Sequence, residues 1–373
     1  MLHKNWTKPN TSFHFPRGVR QRCILSPLLC NLYINNLPFA FGNTLSDPFV
    51  LSNGAKLTSL LYADNLIILS RSKTGLQNCL NTLSSFCTLW MLKINPKKPK
   101  ITVFQKRARK CAKFHFFIGN QIIDVRKYTY LGPCMFSSGN FSVSCEHLKG
   151  KGLHAFFSLR WHRNLSKLNP AIACKIFDTL ISTILTYNSE IGGVYAKPDF
   201  KAWDGIKIEK THLQFWKRYL EVKNKASNIA CWAELGHFPL SITVTQKLLN
   251  YTLYIQSKTE DSFVFQTFLM SFDLHSNGKS CFHSHLMKLS ECFNLPDFNP
   301  NLLDTAIVKI FVRLMKQKYI SYWKNTLQHS QKLEFYRSFK NEHTISNYLD
   351  LTRGTAERKA LVKLRINNHK LTL

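Results

Sequence analysis

Apolar positions along the 373-residue chain recur at two periods. The stretch "TSLLYADNLIILS" (58–70) holds two short runs of strand-forming residues, 57–62 and 66–69, parted by Ala63-Asp64-Asn65. Two such runs separated by turn-forming residues predict a β-hairpin with the acid at its tip. The period then changes. Leu76, Leu80, Leu83, Cys87 and Trp90 fall at helical spacing and predict a helix over 75–91. It stops before "INPKKPK", with its two prolines and three lysines. "ITVFQKR" predicts a strand, "FHFFIGNQIIDV" a second hairpin turning at Gly119-Asn120, and "YTYLG" another short strand. Upstream, Pro16 and Gly18 mark an irregular loop, and Pro27 suits the first turn of a helix running through Ile34.

From about residue 145 the pattern is helical. Ile172, Ile176, Leu180 and Ile184 form one apolar stripe, and Ile307, Ile310, Phe311, Leu314 and Tyr322 another. The prediction is an α+β chain: a mixed region over 1–144, a helical region over 145–270, and a helical, basic region over 271–373. The second boundary lies near 270–300, where "HSNGKS" and "NLPDFNP" break the pattern.

Composition sharpens this picture. Hydrophobic residues are 45% and aromatics 13%, which excludes a disordered tail. Lys and Arg number 51 against 21 Asp and Glu, a net charge of +30. Such a balance repels itself and attracts polyanions, so nucleic acid is the expected partner. Residues 1–100 hold only Asp47 and Asp64 against a dozen Lys and Arg, which limits any metal chemistry there. Eleven cysteines occur without a CxxC pair, and the start is polar with no signal-peptide pattern. No apolar run spans a bilayer, so the expectation is an intracellular, soluble chain, in nucleus or cytoplasm, with free thiols and no membrane contact.

Four segments, in order, resemble one family. "RGVRQRCILSPLLCNLYINNLP", "LLYADNLIIL", "LKINPKKPKITVFQK" and "YTYLG" are similar to successive motifs of the reverse transcriptases of non-LTR retrotransposons. The resemblance implies a partial polymerase palm, antiparallel strands with packed helices, followed by a helical thumb and C-terminal region. It implies RNA-directed DNA polymerase ancestry, with RNA, DNA and dNTPs as partners and Mg²⁺ as cofactor. Two metal ions roughly 4 Å apart serve nucleotidyl transfer, and hard Mg²⁺ takes carboxylate oxygens. Asp64 matches the metal-binding acid of the catalytic hairpin, Asn65 the position after it, and Tyr62 the residue against the primer end. Gly18, Arg20 and Gln21 match the loop that contacts template and nucleotide, with Ser26 and Pro27 opening the helix behind it. Lys98 and Lys100 match the lysine segment near the triphosphate; a solvated basic loop is the alternative.

The departures from the pattern bear on activity. The family's second hairpin Asp is Asn65, an amide that keeps the shape and loses the charge. The usual Gly after Gln21 is Arg22, and the Thr expected between the lysines is Pro99. About seventeen residues precede Gly18, none of them acidic, so the family's upstream palm acid is not matched. Asp47 and Asp124 read as turn or loop acids. The expectation is a degenerate, N-terminally truncated reverse-transcriptase domain without polymerase activity by itself; the alternative is a nucleic-acid-binding remnant that acts by its basic surface. Two further features are open. "CFHSH" (Cys281, His283, His285) reads as a polar loop or a metal site, and the basic helix in "RGTAERKALVKLRINNHKLTL" as a solvated or an RNA-contacting face. The tryptophans read as core.

Overall fold

The chain divides into two units, one comprising Met1–Pro99 with Ala112–Asp124, the other Lys100–Cys111 with Val125–Leu373. The computed structural model describes residues 23–63, 65–95, 98–104, 115–118, 121–122, 128–139, 141–163, 165–192, 199–293, 299, 302–351 and 355–366.

In the first unit, α1 (Ser26–Ile34) starts with Pro27 in its first turn, where the missing N–H costs nothing. Its Leu25 flank and its Leu28, Leu29 and Leu32 are exposed. α2 (Leu37–Gly42) buries Leu37 and Phe41. β1 (Phe49–Val50) pairs with β2 (Lys56–Leu57), and β3 (Ser59–Tyr62) with β4 (Asn65–Ile68), both antiparallel. α3 (Lys73–Leu89) is capped by Ser72, whose hydroxyl accepts from Gly75 N–H at 3.1 Å. Gly75 permits close passage, since a Cβ there would stand 2.4 Å from the Ser46 carbonyl oxygen. The core is small: Leu37, Phe41, Cys79 and Phe86, with Leu66, Ile68, Leu83 and Trp90 packed on it. β5 (Phe117–Ile118) pairs with β6 (Gln121–Ile122). The Gln77 side chain docks β5 by donating to Phe117 O at 2.8 Å and accepting from Phe117 N at 3.0 Å.

The second unit begins its regular structure with β7 (Tyr128–Thr129) paired to β8 (Cys134–Met135). Helices follow: α4 (Ser142–Arg163), α5 (Pro170–Ile176), a π-helical stretch Phe177–Ser182, α6 (Thr183–Leu185), α7 (Ser189–Gly192), α8 (Phe200–Trp203) and α9 (Lys207–Tyr219). Then come α10 (Asn228–Glu234), α11 (Leu240–Gln256), α12 (Phe263–Ser276), α13 (Phe282–Phe293) and α14 (Thr305–Gln328). α15 (Glu334–Phe339), α16 (Tyr348–Leu351) and α17 (Thr355–Arg365) close the chain's described part. One core runs through them from Cys145 to Ile366, and helices on both sides of residue 270 contribute to it. Trp203, Trp216, Trp232 and Trp323 are buried in it, as the composition predicts.

Among the described residues the strands form four separate antiparallel two-stranded ladders. Two expectations are corrected. "ITVFQKR" contributes only a bridge at Ile101, with 102–104 irregular and 105–107 outside the described residues. Both apolar stripes are shifted. Ala173, Phe177, Ile181 and Leu185 are buried, while Ile172 and Leu180 are exposed. In the first case the buried row keeps the predicted four-residue step but is moved by one residue, and the π-helical stretch holds that step on one face. On α14 the buried row is Val308, Phe311, Met315, Tyr319, Trp323 and Leu327, and Ile310 is exposed.

Candidate active-site hairpin

β3 and β4 pair in the register Ser59↔Ile68, Leu60↔Ile67, Leu61↔Leu66 and Tyr62↔Asn65. Directly opposed residues share a face. Leu66 and Ile68 pack on the Phe41–Phe86 core, so that face anchors the hairpin. Tyr62 and Asn65 lie on the other face, and Tyr62 is 63% exposed. Only Ala63 and Asp64 separate the paired ends. Ala63 has φ of 50°, the left-handed region in which a Cβ costs roughly 1–2 kcal/mol. Primed two-residue turns require such angles, and Ala, unlike Gly, adopts them under strain. The sequence thus spends stability to hold a tight tip on strands that are packed on one face only.

Of the residues singled out above, Tyr62 and Asn65 are brought together as the last pair of this ladder. Ser26 is buried at the first position of α1. Lys98 and Lys100 are exposed on the proline-flanked segment after α3, with Lys98 N–H turned back to Asn95 O at 3.1 Å. Asp64, Gly18, Arg20, Gln21 and Arg22 lie outside the described residues, as does Asp124. Asp47 is a turn acid with φ of 47°, and its carbonyl accepts from Arg71 N–H at 2.9 Å.

The donor set decides what the tip can hold. The Tyr-Ala-Asp-Asn sequence offers one carboxylate and one amide. Two Mg²⁺ ions need shared anionic oxygens to offset their hydration and mutual repulsion. One carboxylate beside an amide does not fit that pair, and no chemical step is assigned through it.

Two features of the second unit escaped the sequence reading. The "YTYLG" segment forms a tight hairpin in which Leu131 and Gly132 both have positive φ, 48° and 114°. Tyr187 covers it: its hydroxyl donates to Leu131 O at 2.7 Å, and a Cβ on Gly132 would stand 2.6 Å from the Tyr187 ring. No local signal ties a tyrosine 56 residues away to this turn. The second feature is a buried polar chain. Glu209 Oε1 lies 2.6 Å from His212 Nδ1, and His212 Nε2 lies 3.2 Å from His237 Nδ1. His237 Nε2 lies 3.1 Å from Asp178 Oδ1 at the surface. Leu240 N–H donates to Glu209 Oε2 at 2.9 Å. Burial pushes the Glu209 carboxyl up to about 8 and holds His212 well below the usual histidine range. Both shifts favour the neutral form of each group, as burial away from water dictates. The chain ties α9 to the turn before α11 and to the π-helical stretch. The visible signal is the Glu-x-x-His spacing inside an otherwise buried helix.

The "CFHSH" residues are engaged in packing and local hydrogen bonds. The Cys281 thiol donates to Ser271 O at 2.9 Å, and His283 stands edge-on to Phe272 with ring centroids 5.0 Å apart. Among the described residues no helix is long and apolar enough to cross a membrane.

Comparison with known proteins gives a family match whose residues include this hairpin. Residues 1–133 match the family described as "Reverse transcriptase (RNA-dependent DNA polymerase)". A Drosophila melanogaster protein named "Probable RNA-directed DNA polymerase from transposon BS" is 26% identical over 197 residues, 51% of this chain and 22% of the relative. The "RNA-directed DNA polymerase from mobile element jockey" of the same fly is 23% identical over 189 residues, 48% of this chain and 20% of the relative. A transposon-derived protein of Caenorhabditis elegans is 28% identical over 141 residues, 37% of this chain and 50% of the relative. The chain thus spans half or less of the length of these curated relatives.

Proposed function

We propose that this chain, a reverse-transcriptase-domain protein derived from a non-LTR retrotransposon, holds nucleic acid without extending a primer on it. The first unit is read as palm, with β3–β4 as its catalytic hairpin, and the helical unit as thumb and C-terminal region. RNA and DNA are the partners this reading names.

The observation that carries it is the Tyr62↔Asn65 pair. Anchored strands, a left-handed Ala63 and an exposed tyrosine flank Asp64 and support reading the tip as a catalytic hairpin by descent. It lacks the charge, since Asn65 supplies an amide at the second position. Shape without a second anion supports binding better than metal-assisted transfer. Net charge of +30 supports a polyanionic partner that needs no metal.

Primer extension on a primed RNA template, with Mg²⁺ or Mn²⁺ and all four dNTPs, tests this reading. The expected outcome is a shifted primer–template band in a binding gel and no lengthened product. Robust extension that disappears in Asp64→Ala overturns the reading.

A further inference from the structure

The cations of the helical unit fall into two kinds. Three of the four on α17 are committed to the fold. Arg358 donates to Leu168 O at 3.1 Å and lies over the Tyr219 ring. Lys359 pairs with Glu221 at 2.6 Å, and Arg365 pairs with buried Glu234 at 3.1 Å. The basic C-terminal helix is a clamp on the core.

α14 is built the other way. Its 24 residues include Lys309, Arg313, Lys316, Lys318 and Lys324 and no Asp or Glu. The row from Val308 to Leu327 buries one face. Lys309, Arg313, Lys316 and Lys324 are all exposed. At 3.6 residues per turn and 1.5 Å rise, these four fall within an arc of about 80° and spread over about 22 Å of helix axis. None of the ion pairs among the described residues engages them. Lys316 Nζ rests 5.3 Å from the Phe238 ring centre. Asp304, the acid nearest along the chain, is turned to the helix start, where it accepts from Ile307 N–H at 2.6 Å. α11, which packs against α14, contributes no Asp or Glu.

We propose that this stripe on α14 is a docking surface for the phosphate backbone of a nucleic-acid strand. Like charges three and four apart on one helix face repel, and neither α14 nor α11 offers an acid to offset them. A polyanion laid along the stripe removes that cost. Each strand of a duplex places one phosphate per 3.4 Å of axis, so the stripe faces about six of them. Three of the four cations are lysines, which meet phosphates as point charges and read no base edges. The contact is therefore sequence-independent and salt-sensitive. This inference rests on the binding part of the reading above and not on the hairpin.

The test titrates the full chain with single-stranded RNA and with duplex DNA across a salt series. The stripe variant is Lys309→Gln/Arg313→Gln/Lys316→Gln/Lys324→Gln. The control removes the same charge from scattered exposed positions: Lys223→Gln/Lys225→Gln/Lys279→Gln/Lys288→Gln. The stripe variant is expected to lower the slope of log affinity against log salt by about 3 and to weaken binding on the order of a hundredfold at 0.1 M salt. The scattered variant is expected to change either by much less. Unchanged thermal melting shows that the stripe variant is folded. If it is not, the single variants Lys309→Gln and Lys324→Gln, each expected to lower the slope by nearly 1, are read instead. Equal losses in both quadruple variants overturn the stripe and leave nucleic-acid binding standing. A wild-type chain that binds neither probe overturns both, as does stripe-dependent binding to phosphatidylserine vesicles alone.

Discussion

The two units of the chain divide motif from mass. The first carries the first two motifs of the reverse-transcriptase resemblance and the third as far as Pro99, on a core of Leu37, Phe41, Cys79 and Phe86. The second carries almost no motif, yet gathers core from α4 to α17 around four buried tryptophans. The contrast teaches that recognisable chemistry and folding stability have separate sources here. A hairpin tip needs only enough packing to aim two residues, whereas a helical body with +30 of net charge on the chain needs a large apolar interior to withstand self-repulsion.

The strongest way to break the comparison is to remove mass from the second unit. Trp216→Ala deletes a fully buried ring packed against Phe177 and Phe215 and is expected to cost about 3–5 kcal/mol in denaturant unfolding followed by far-ultraviolet dichroism. A loss under 1 kcal/mol would show that the interior is not what holds the helices. Next comes the clamp. Arg365→Met leaves Glu234, fully buried, without its ion-pair partner and is expected to cost about 3 kcal/mol. Removing the exposed α14 cations is expected to change stability by less than about 0.5 kcal/mol per site, which separates the two basic helices by function.

The pH response is smaller and has a definite sign. Burial, with Lys340 beside it, lowers His343 from 6.5 to about 4. A histidine depressed in the folded state contributes stability that is present above pH 6.5 and is lost as pH falls toward 4. His212, lowered by burial, acts in the same direction. Glu209, raised from 4.5 to about 8, acts in the opposite direction, so its contribution is lost as pH rises through that window. Acid unfolding between pH 6.5 and 4 should therefore flatten in His343→Asn, by at most about 1.4 kcal/mol per pH unit. An unchanged acid slope would remove His343 from the account. The smallest effect belongs to the hairpin. Ala63→Gly relieves the left-handed angle at the tip and is expected to stabilise the first unit by up to about 1 kcal/mol, read as slower hydrogen exchange of the β3–β4 amides.

The hairpin and α3 were legible in the sequence because their cues are local: alternation broken by turn residues, then leucines at helical spacing. Residues 59–62 and 65–68 pair, and the helix over 75–91 runs from Lys73 to Leu89. The buried rows of α5–α6 and α14 were not legible, because apolar residues occupy both faces and the choice is made by partners distant in sequence. The π-helical turn at Phe177 is invisible to a rule that counts 3.6 residues per turn. At the candidate site, the motif singled out Tyr62 and Asn65, which the ladder pairs. Tyr187 and the Glu209–His212–His237–Asp178 chain were missed because each joins segments 25 or more residues apart.

The proposed function rests on a tip that offers one carboxylate and one amide where two metal ions would need shared anions. Mn²⁺ titration of the chain bound to a primed template, followed by electron paramagnetic resonance, tests it directly. At most one weakly held ion per chain is expected, and Asn65→Asp should tighten it. Two ions with the spin coupling of neighbours about 4 Å apart, lost together in Asp64→Ala, would contradict the account.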